Sequence, residues 1–203
     1  RDRKKRQRRE RIFDAAIDEF NSKGFFATTM QEIAQGADLA VGTLYNYFPS
    51  KNDLLLGILE KKMEEIRKID PREIVRLFHE EGEGNVILER IVLSIVRKAF
   101  ILTKQNWYEG FSALFARRPD VQRGITLDLE AIEMLERILR HMQRRCLVRG
   151  DVPARAMAMN LYSVIAFQFM SFVFMPEVGE RELVGGLSEQ IRLAFLGLCP
   201  NGE

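Results

Sequence analysis

The sequence predicts an all-α protein. Apolar residues recur at three- and four-residue intervals over most of the 203 residues, which is the spacing of amphipathic helices. Only six residues are proline, and no strand-turn-strand pattern appears. With 46% hydrophobic and 30% charged residues, the chain can bury a sizeable core in one or two globular domains.

The first helix is predicted from Lys5 to Ser22, and Gly24 is its stop signal. Its apolar stripe consists of Ile12, Ala15, Ala16 and Phe20. Thr29 and Glu32 then have the spacing of a capping box, which opens a short second helix.

A tight turn connects the second helix to a third. Asp38 tolerates a left-handed conformation, and the third helix is expected within about three residues of it. Leu44 and Phe48 share one face of this helix and are predicted to pack inward. Two short helices joined this closely indicate a helix-turn-helix.

The rest of the chain is predicted to be helical too. Ser50 and Asp53 form a second capping box at the start of a long fourth helix. Proline and glycine breaks limit the following helices to 71–81, 85–105, 106–117, 120–148, 153–175 and 179–198.

Residues 11–59 closely resemble the DNA-binding domain of the TetR family. The likeness rests on the segments 11–16, 24–25, 28–29, 33–34, 42–48 and 50–54, in one order and spacing. The chain differs in having Asp38 where the family usually has Gly in the turn, and Ala40 where Ser or Thr often starts the recognition helix.

The resemblance implies two domains in an all-helical homodimer. Residues 1–52 would form the three-helix DNA-binding domain with its helix-turn-helix, and residues 53–203 a larger domain for ligand binding and dimerisation. The implied partners are double-stranded operator DNA, a small apolar effector and a second copy of the chain. The expected function is that of a ligand-responsive transcription regulator, a repressor released by its effector.

The residues predicted to contact DNA are Thr29, Gly42, Thr43, Tyr45, Asn46, Tyr47 and Lys51. Thr29 and Lys51 are assigned to phosphates, which give affinity without base preference. Thr43 and Asn46 are assigned to base edges in the major groove. Tyr45 and Tyr47 have an alternative role, in packing against the first helix.

Residues 1–11 form a basic arm, with eight Lys and Arg against two acidic residues. Its net charge is +6, so the other 192 residues carry −4. Duplex phosphate is the commonest partner for such an arm. Three interpretations remain open: Arg3 to Arg9 enter a minor groove, they are a disordered tail that adds nonspecific affinity, or they are a solvated tail with no partner.

The predicted effector cavity is lined by Phe100, Trp107, Phe111, Phe115, Met134, Ile138, Phe167 and Met170. The competing interpretation is that these large apolar residues are ordinary core. Polar anchors for the effector are sought among Asn106, Tyr108, His141 and Gln168.

The segments 153–175 and 179–198 are predicted to form the dimer interface, as the resemblance implies. The stripe expected to face the partner is Leu183, Leu187, Ile191, Ala194 and Leu198. Because residues 157–175 carry no charge, a membrane helix is the alternative. A helix buried on two faces is equally apolar, and no membrane association is expected.

No catalytic centre, metal site or cofactor is predicted. The chain has two histidines without ligand spacing, and it contains neither a glycine-rich phosphate loop nor a nucleophile elbow. An enzyme is therefore not expected. Two isolated cysteines and the lack of a secretory layout at the start favour a cytoplasmic protein.

Overall fold

The computed structural model describes residues 2–68, 70–72, 75–76 and 84–196, and helices account for most of them. Within these ranges the α-helices are α1 (Asp2–Lys23), α2 (Met30–Gly36), α3 (Val41–Tyr47), α4 (Lys51–Arg67), α5 (Gly84–Val96), α6 (Lys104–Phe115), α7 (Arg118–Arg144), α8 (Ala154–Phe174) and α9 (Glu180–Leu196). The described residues contain no strand, so the predicted all-α class is confirmed.

Most predicted helix limits agree with the structure to within a few residues, and one differs. The helix predicted over 85–105 ends at Val96 and continues as a 3₁₀ turn, Arg97–Ile101, with a kink at Phe100. Thr103 then caps α6, because its hydroxyl oxygen accepts a hydrogen bond from the Asn106 amide. The helix predicted over 71–81 lies mostly outside the described residues.

The helix-turn-helix belongs to a compact unit made of residues 1–62 and 100–126. Its centre is apolar: Ile12, Ala16, Phe20, Ile33 and Leu44 are fully buried. The expected turn is present, since Asp38 has φ +55° and Leu39 donates to the Ala34 carbonyl at 2.9 Å. The predicted helix-turn-helix is therefore confirmed.

The segment 100–126 is tied to the first four helices by side chains rather than by apolar packing alone. The Asn21 amide group donates to the Ile101 carbonyl at 2.8 Å and accepts from the Thr103 amide at 3.2 Å. Glu109 accepts a hydrogen bond from the Phe26 amide at 2.7 Å. These bonds fix the start of α6 beside the end of α1.

A second set of bonds holds the start of α7 in the same unit. Asn52 donates to Asp120 at 2.8 Å, and Arg123 bridges Asp53 and Glu60 at 2.8 Å each. The unit thus contains more of the chain than the predicted DNA-binding domain 1–52. That boundary, which concerns function, stays a prediction.

The other compact unit comprises residues 63–99 and 127–203. In it α9 packs against both α5 and α8. Leu183, Leu187 and Ile191 have at most 1% of their surface exposed, because these contacts within the chain cover them. Assigning this stripe to a partner subunit was therefore wrong. Of its other members, Ala194 is exposed and Leu198 lies outside the described residues.

Candidate nucleic-acid interface

The outer surface of α3 is set by the two residues that anchor it. Leu44 and Phe48 are buried in the unit, as predicted. Gly42, Tyr45 and Asn46 are exposed, while Thr43 and Tyr47 are half-buried. Polar and aromatic groups thus lie on the side of α3 that faces away from the core, where they can meet a major groove.

Thr29 forms the predicted capping box with Glu32. The Glu32 amide donates to the Thr29 hydroxyl at 3.2 Å, and the Glu32 carboxylate accepts from the Thr29 amide at 2.8 Å. The hydroxyl also donates to this carboxylate at 2.9 Å, so its donor is already used. Thr29 thus has a structural role here, and its contact with phosphate, which rests on the amides of the helix N-terminus, stays a prediction.

The carboxylate of this cap is held firmly in its ionised form. Lys23 donates to Glu32 at 2.8 Å, and the Thr29 amide and hydroxyl add two further hydrogen bonds. Together these donors lower the pKa of Glu32 to about 2. The cap therefore remains formed throughout the neutral pH range.

Lys51 was predicted to contact phosphate, and the structure gives it another function. Its ammonium donates to the carbonyls of Phe25, Phe26 and Thr28 at 2.6, 3.0 and 2.6 Å. An ammonium has three donors, so none is left for a phosphate. Burial lowers the pKa of Lys51, and Glu109 and Glu32 oppose that effect. Lys51 is a brace for the loop between α1 and α2, which the sequence could not show.

The basic arm is helical rather than disordered in this structure, since α1 begins at Asp2. Its residues 3–11 are exposed. Near the core, the Arg9 guanidinium lies over the Phe13 and Phe48 rings, 5.6 and 5.3 Å from their centroids. Lys61 donates to Glu10 at 2.8 Å, which lowers the pKa of Glu10.

Four of the predicted effector-cavity residues lie in the unit that contains α3. Trp107, Phe111 and Phe115 form a ladder on α6, with stacked rings 5.4 and 5.6 Å apart. Trp107 is buried and Phe111 half-buried, whereas Phe115 is 53% exposed. Phe100, at the kink before α6, is half-buried. The assignment of these four residues to an effector cavity stays a prediction.

The other four predicted cavity residues lie in the unit formed by α5, α8, α9 and most of α7. Met134 and Ile138 are buried on α7, and Met170 is half-buried on α8. Phe167 is 69% exposed, and its assignment to a cavity stays a prediction. A cavity of about 530 Å³ in this unit is lined instead by the charged residues Arg67, Glu130, Glu133, Glu136, Arg137, Arg140 and Arg155.

His141 follows Met134 and Ile138 on one face of α7. Both of its ring nitrogens are buried, and neither has a hydrogen-bond partner among the described residues. Burial lowers the pKa of His141, and Arg144, Arg145 and Arg72 add to this effect. The imidazole is therefore neutral near pH 7 and can both donate and accept a hydrogen bond.

Comparison with known proteins agrees with this architecture. Residues 12–58 match the family of bacterial regulatory proteins described as the tetR family. The HTH-type transcriptional repressor KstR of Mycolicibacterium smegmatis is 48% identical over 61 residues, which is 30% of this chain and 30% of KstR. The match thus spans less than a third of that curated relative.

Two solved structures resemble almost the whole chain in fold. FadR of Thermus thermophilus, a TetR-family repressor in complex with lauroyl-CoA, has a TM-score of 0.68 and 24% identity, covering 96% of this chain and 97% of that one. FadR of Bacillus subtilis, in complex with stearoyl-CoA, has a TM-score of 0.64 and 18% identity, covering 93% and 98%.

Proposed function

We propose that the chain is a ligand-responsive transcription regulator of the tetR family of bacterial regulatory proteins, a repressor that leaves its operator when a small apolar effector binds. The observation that carries the proposal is the surface of α3, where buried Leu44 and Phe48 orient Gly42, Tyr45 and Asn46 outward. A helix held in this way can enter a major groove.

Different residues of α3 would have different tasks. The Asn46 amide can pair with a base edge through both its donor and its acceptor, and Thr43 can touch a thymine methyl group. Tyr45, 49% exposed, can reach the phosphate backbone with its hydroxyl group. Asn46 and Thr43 would therefore carry specificity, and Tyr45 affinity.

The test begins with selection of an operator from randomised duplexes by the wild-type protein. Asn46→Ala should then lose about 1 to 3 kcal/mol of discrimination against single base changes in that operator. Tyr45→Phe, the matched control, removes one hydroxyl group and should weaken all duplexes alike. An Asn46→Ala protein with wild-type relative affinities for operator variants would contradict the assignment.

The effector that best fits the chain is an amphipathic acyl compound. FadR of T. thermophilus and of B. subtilis were each solved with an acyl-CoA. Here α7 offers buried Met134 and Ile138, followed on the same face by His141 with two unsatisfied ring nitrogens. An acyl chain would lie against the apolar residues, and its carbonyl oxygen would accept a hydrogen bond from the imidazole N–H, which satisfies one of the two ring nitrogens.

The effector is tested by adding lauroyl-CoA or stearoyl-CoA to the protein on its selected operator. Release of DNA by the acyl-CoA, but not by free CoA, is expected. His141→Phe keeps an aromatic ring but removes the hydrogen bond, and should weaken the response without changing DNA affinity in the absence of effector. DNA binding that is indifferent to both acyl-CoAs would overturn this part of the proposal.

Dimerisation through α8 and α9 remains part of the proposal, with a different set of contact residues. Met159 and Phe167 on α8 are 45% and 69% exposed, and Leu193 on α9 is 53% exposed. Apolar side chains as exposed as these are suited to an interface. A symmetric pair of such faces would hold two recognition helices at a fixed spacing.

We place the regulator in the cytoplasm, as is general for soluble members of this family. Among the described residues, Ala154–Phe174 is the one helix long and apolar enough to cross a membrane. A dimer interface accounts for the same composition. Recovery of the full chain as a detergent-free dimer is expected, and recovery only in the membrane fraction would favour the alternative.

A further inference from the structure

Residues 3–9 of the basic arm are helical and project from the unit that contains the helix-turn-helix. The first buried residue of α1 is Ile12, and residues 3–11 are all exposed. At 1.5 Å per residue, Arg3 lies about 14 Å along the helix from this first core position. The arm therefore buries no core face of its own.

The arm carries positive charge that the protein does not neutralise. Within the part of the chain that the structure describes, four cations of the arm form no ion pair: Arg3, Lys4, Lys5 and Arg8. Among the cations of residues 3–9, Arg6 is the one that lies near Glu10. These cations repel one another. They also oppose the helix dipole, whose positive end is at the N-terminus. Anions along the arm would relieve both conflicts.

The base of the arm lies beside the recognition helix. Arg11 forms an ion pair at 3.8 Å with Asp38, in the turn before α3. Arg9 lies 5.3 Å from the ring centroid of Phe48, the residue at the end of α3. The base of the arm thus contacts the turn before α3 and the residue that ends this helix.

We propose that the basic arm is a second DNA-contacting element, in which Arg3, Lys4, Lys5 and Arg8 bind duplex phosphates outside the bases read by α3. The inference rests on the proposed function, because it needs α3 to be the DNA-reading helix. Contacts of cations with phosphates carry no base information. The arm would therefore strengthen binding to all duplexes alike.

The test compares two variants that lose the same charge. The arm variant is Arg3→Gln, Lys4→Gln, Lys5→Gln and Arg8→Gln, which retains residues with good helix propensity and spares Arg9 and Arg11. The control replaces four exposed cations of the other unit: Arg97→Gln, Lys98→Gln, Arg144→Gln and Arg145→Gln. Each protein is titrated with a duplex of mixed sequence over a range of salt concentrations.

Each phosphate contact contributes about 0.9 to the slope of log affinity against log salt. Four contacts give a slope change of about 3.6 per protomer, or about 7.2 for a dimer with both arms on the duplex, so between about 50 and about 200 mM salt a dimeric wild type should lose roughly 20,000-fold more affinity than the arm variant. The control should retain the wild-type slope, and base preference on the selected operator should be unchanged in both variants.

A wild-type slope in the arm variant would overturn the proposal, as would an equal loss of slope in the control. A wild-type protein that binds no duplex would instead refute the proposed function itself. Binding to vesicles containing phosphatidylserine is measured for the same proteins. If the arm variant loses vesicle binding but retains the salt slope with DNA, the arm belongs to a membrane surface and the proposal is wrong.

Discussion

Replacing Lys51 with methionine separates a structural brace from a phosphate ligand. Lys51→Met retains the length of the side chain but removes three hydrogen bonds, to the carbonyls of Phe25, Phe26 and Thr28. The bonds to Phe25 and Thr28 are partly buried, and the bond to Phe26 is exposed. The structural role therefore predicts a loss of stability, whereas a phosphate contact predicts a loss of salt-dependent DNA affinity.

The magnitude follows from the two partly buried bonds. A hydrogen bond with a charged donor contributes about 1.5 to 3 kcal/mol when buried, and solvent screening at this half-buried site reduces each to about 1 kcal/mol. The exposed bond adds little. The expected loss of unfolding free energy is about 2 kcal/mol, or about 4 to 8 °C in Tm for a chain of this length.

Thermal unfolding and salt-dependent DNA titration measure the two effects separately. Lys98→Met is the control, because Lys98 is exposed and lies in the other compact unit. We expect Lys51→Met to lower Tm while the salt slope stays at its wild-type value. An unchanged Tm together with a slope reduced by about 0.9 would show that Lys51 binds phosphate and that the brace is unimportant.

Three further substitutions test the remaining assignments. A Cβ at Gly42 would meet nothing within 4 Å, so Gly42→Ala should stabilise α3 by up to about 1 kcal/mol. The same substitution should weaken DNA binding if the duplex approaches this backbone. Unchanged affinity in a gel shift would remove Gly42 from the interface. Phe167→Glu should give a folded monomer in sedimentation, because the Phe167 side chain is 69% exposed. Ile191→Glu should give an unfolded chain, because Ile191 is only 1% exposed and its replacement would bury a carboxylate. A dimeric Phe167→Glu protein would place the interface elsewhere. Because the pKa of His141 is lowered in the folded chain, the unfolded chain binds a proton at this side chain more readily than the folded chain does. Stability should therefore fall as the pH drops below about 6.5, and should fall less in His141→Gln. Equal pH profiles of Tm in the two proteins would show that His141 does not titrate in this way.

The helix-turn-helix could be predicted because its signals are local. The capping box of Thr29 and Glu32 spans four residues, and Asp38 is a residue type that tolerates the left-handed turn it adopts. Leu44 and Phe48 point inward because they lie four residues apart on a short helix. Short-range geometry is sufficient for all of these features.

Contacts over long sequence distances could not be predicted. An apolar stripe shows that one face of a helix is buried, but not which neighbour covers it. Leu187 and Ile191 are covered by this chain's own helices, and Phe167, assigned to a cavity, is exposed. The carbonyls that Lys51 holds lie 23 to 26 residues before it, and no periodic pattern marks such a pair.

The two faces of α6 suggest how an effector could reach the DNA-binding helices. One face carries Asn106 and Glu109, which bind Asn21 and the Phe26 amide at 3.1 and 2.7 Å. The adjacent face carries the ladder of Trp107 and Phe111. A helix moves as a rigid body over this length, so any shift of α6 must either carry the end of α1 with it or break these bonds. Breaking them would leave the buried Asn106 side chain, 2% exposed, without its partner, which is costly. We therefore expect α1 to follow α6, which makes Asn21 and Glu109 the residues that transmit a shift of α6 to the DNA-binding helices.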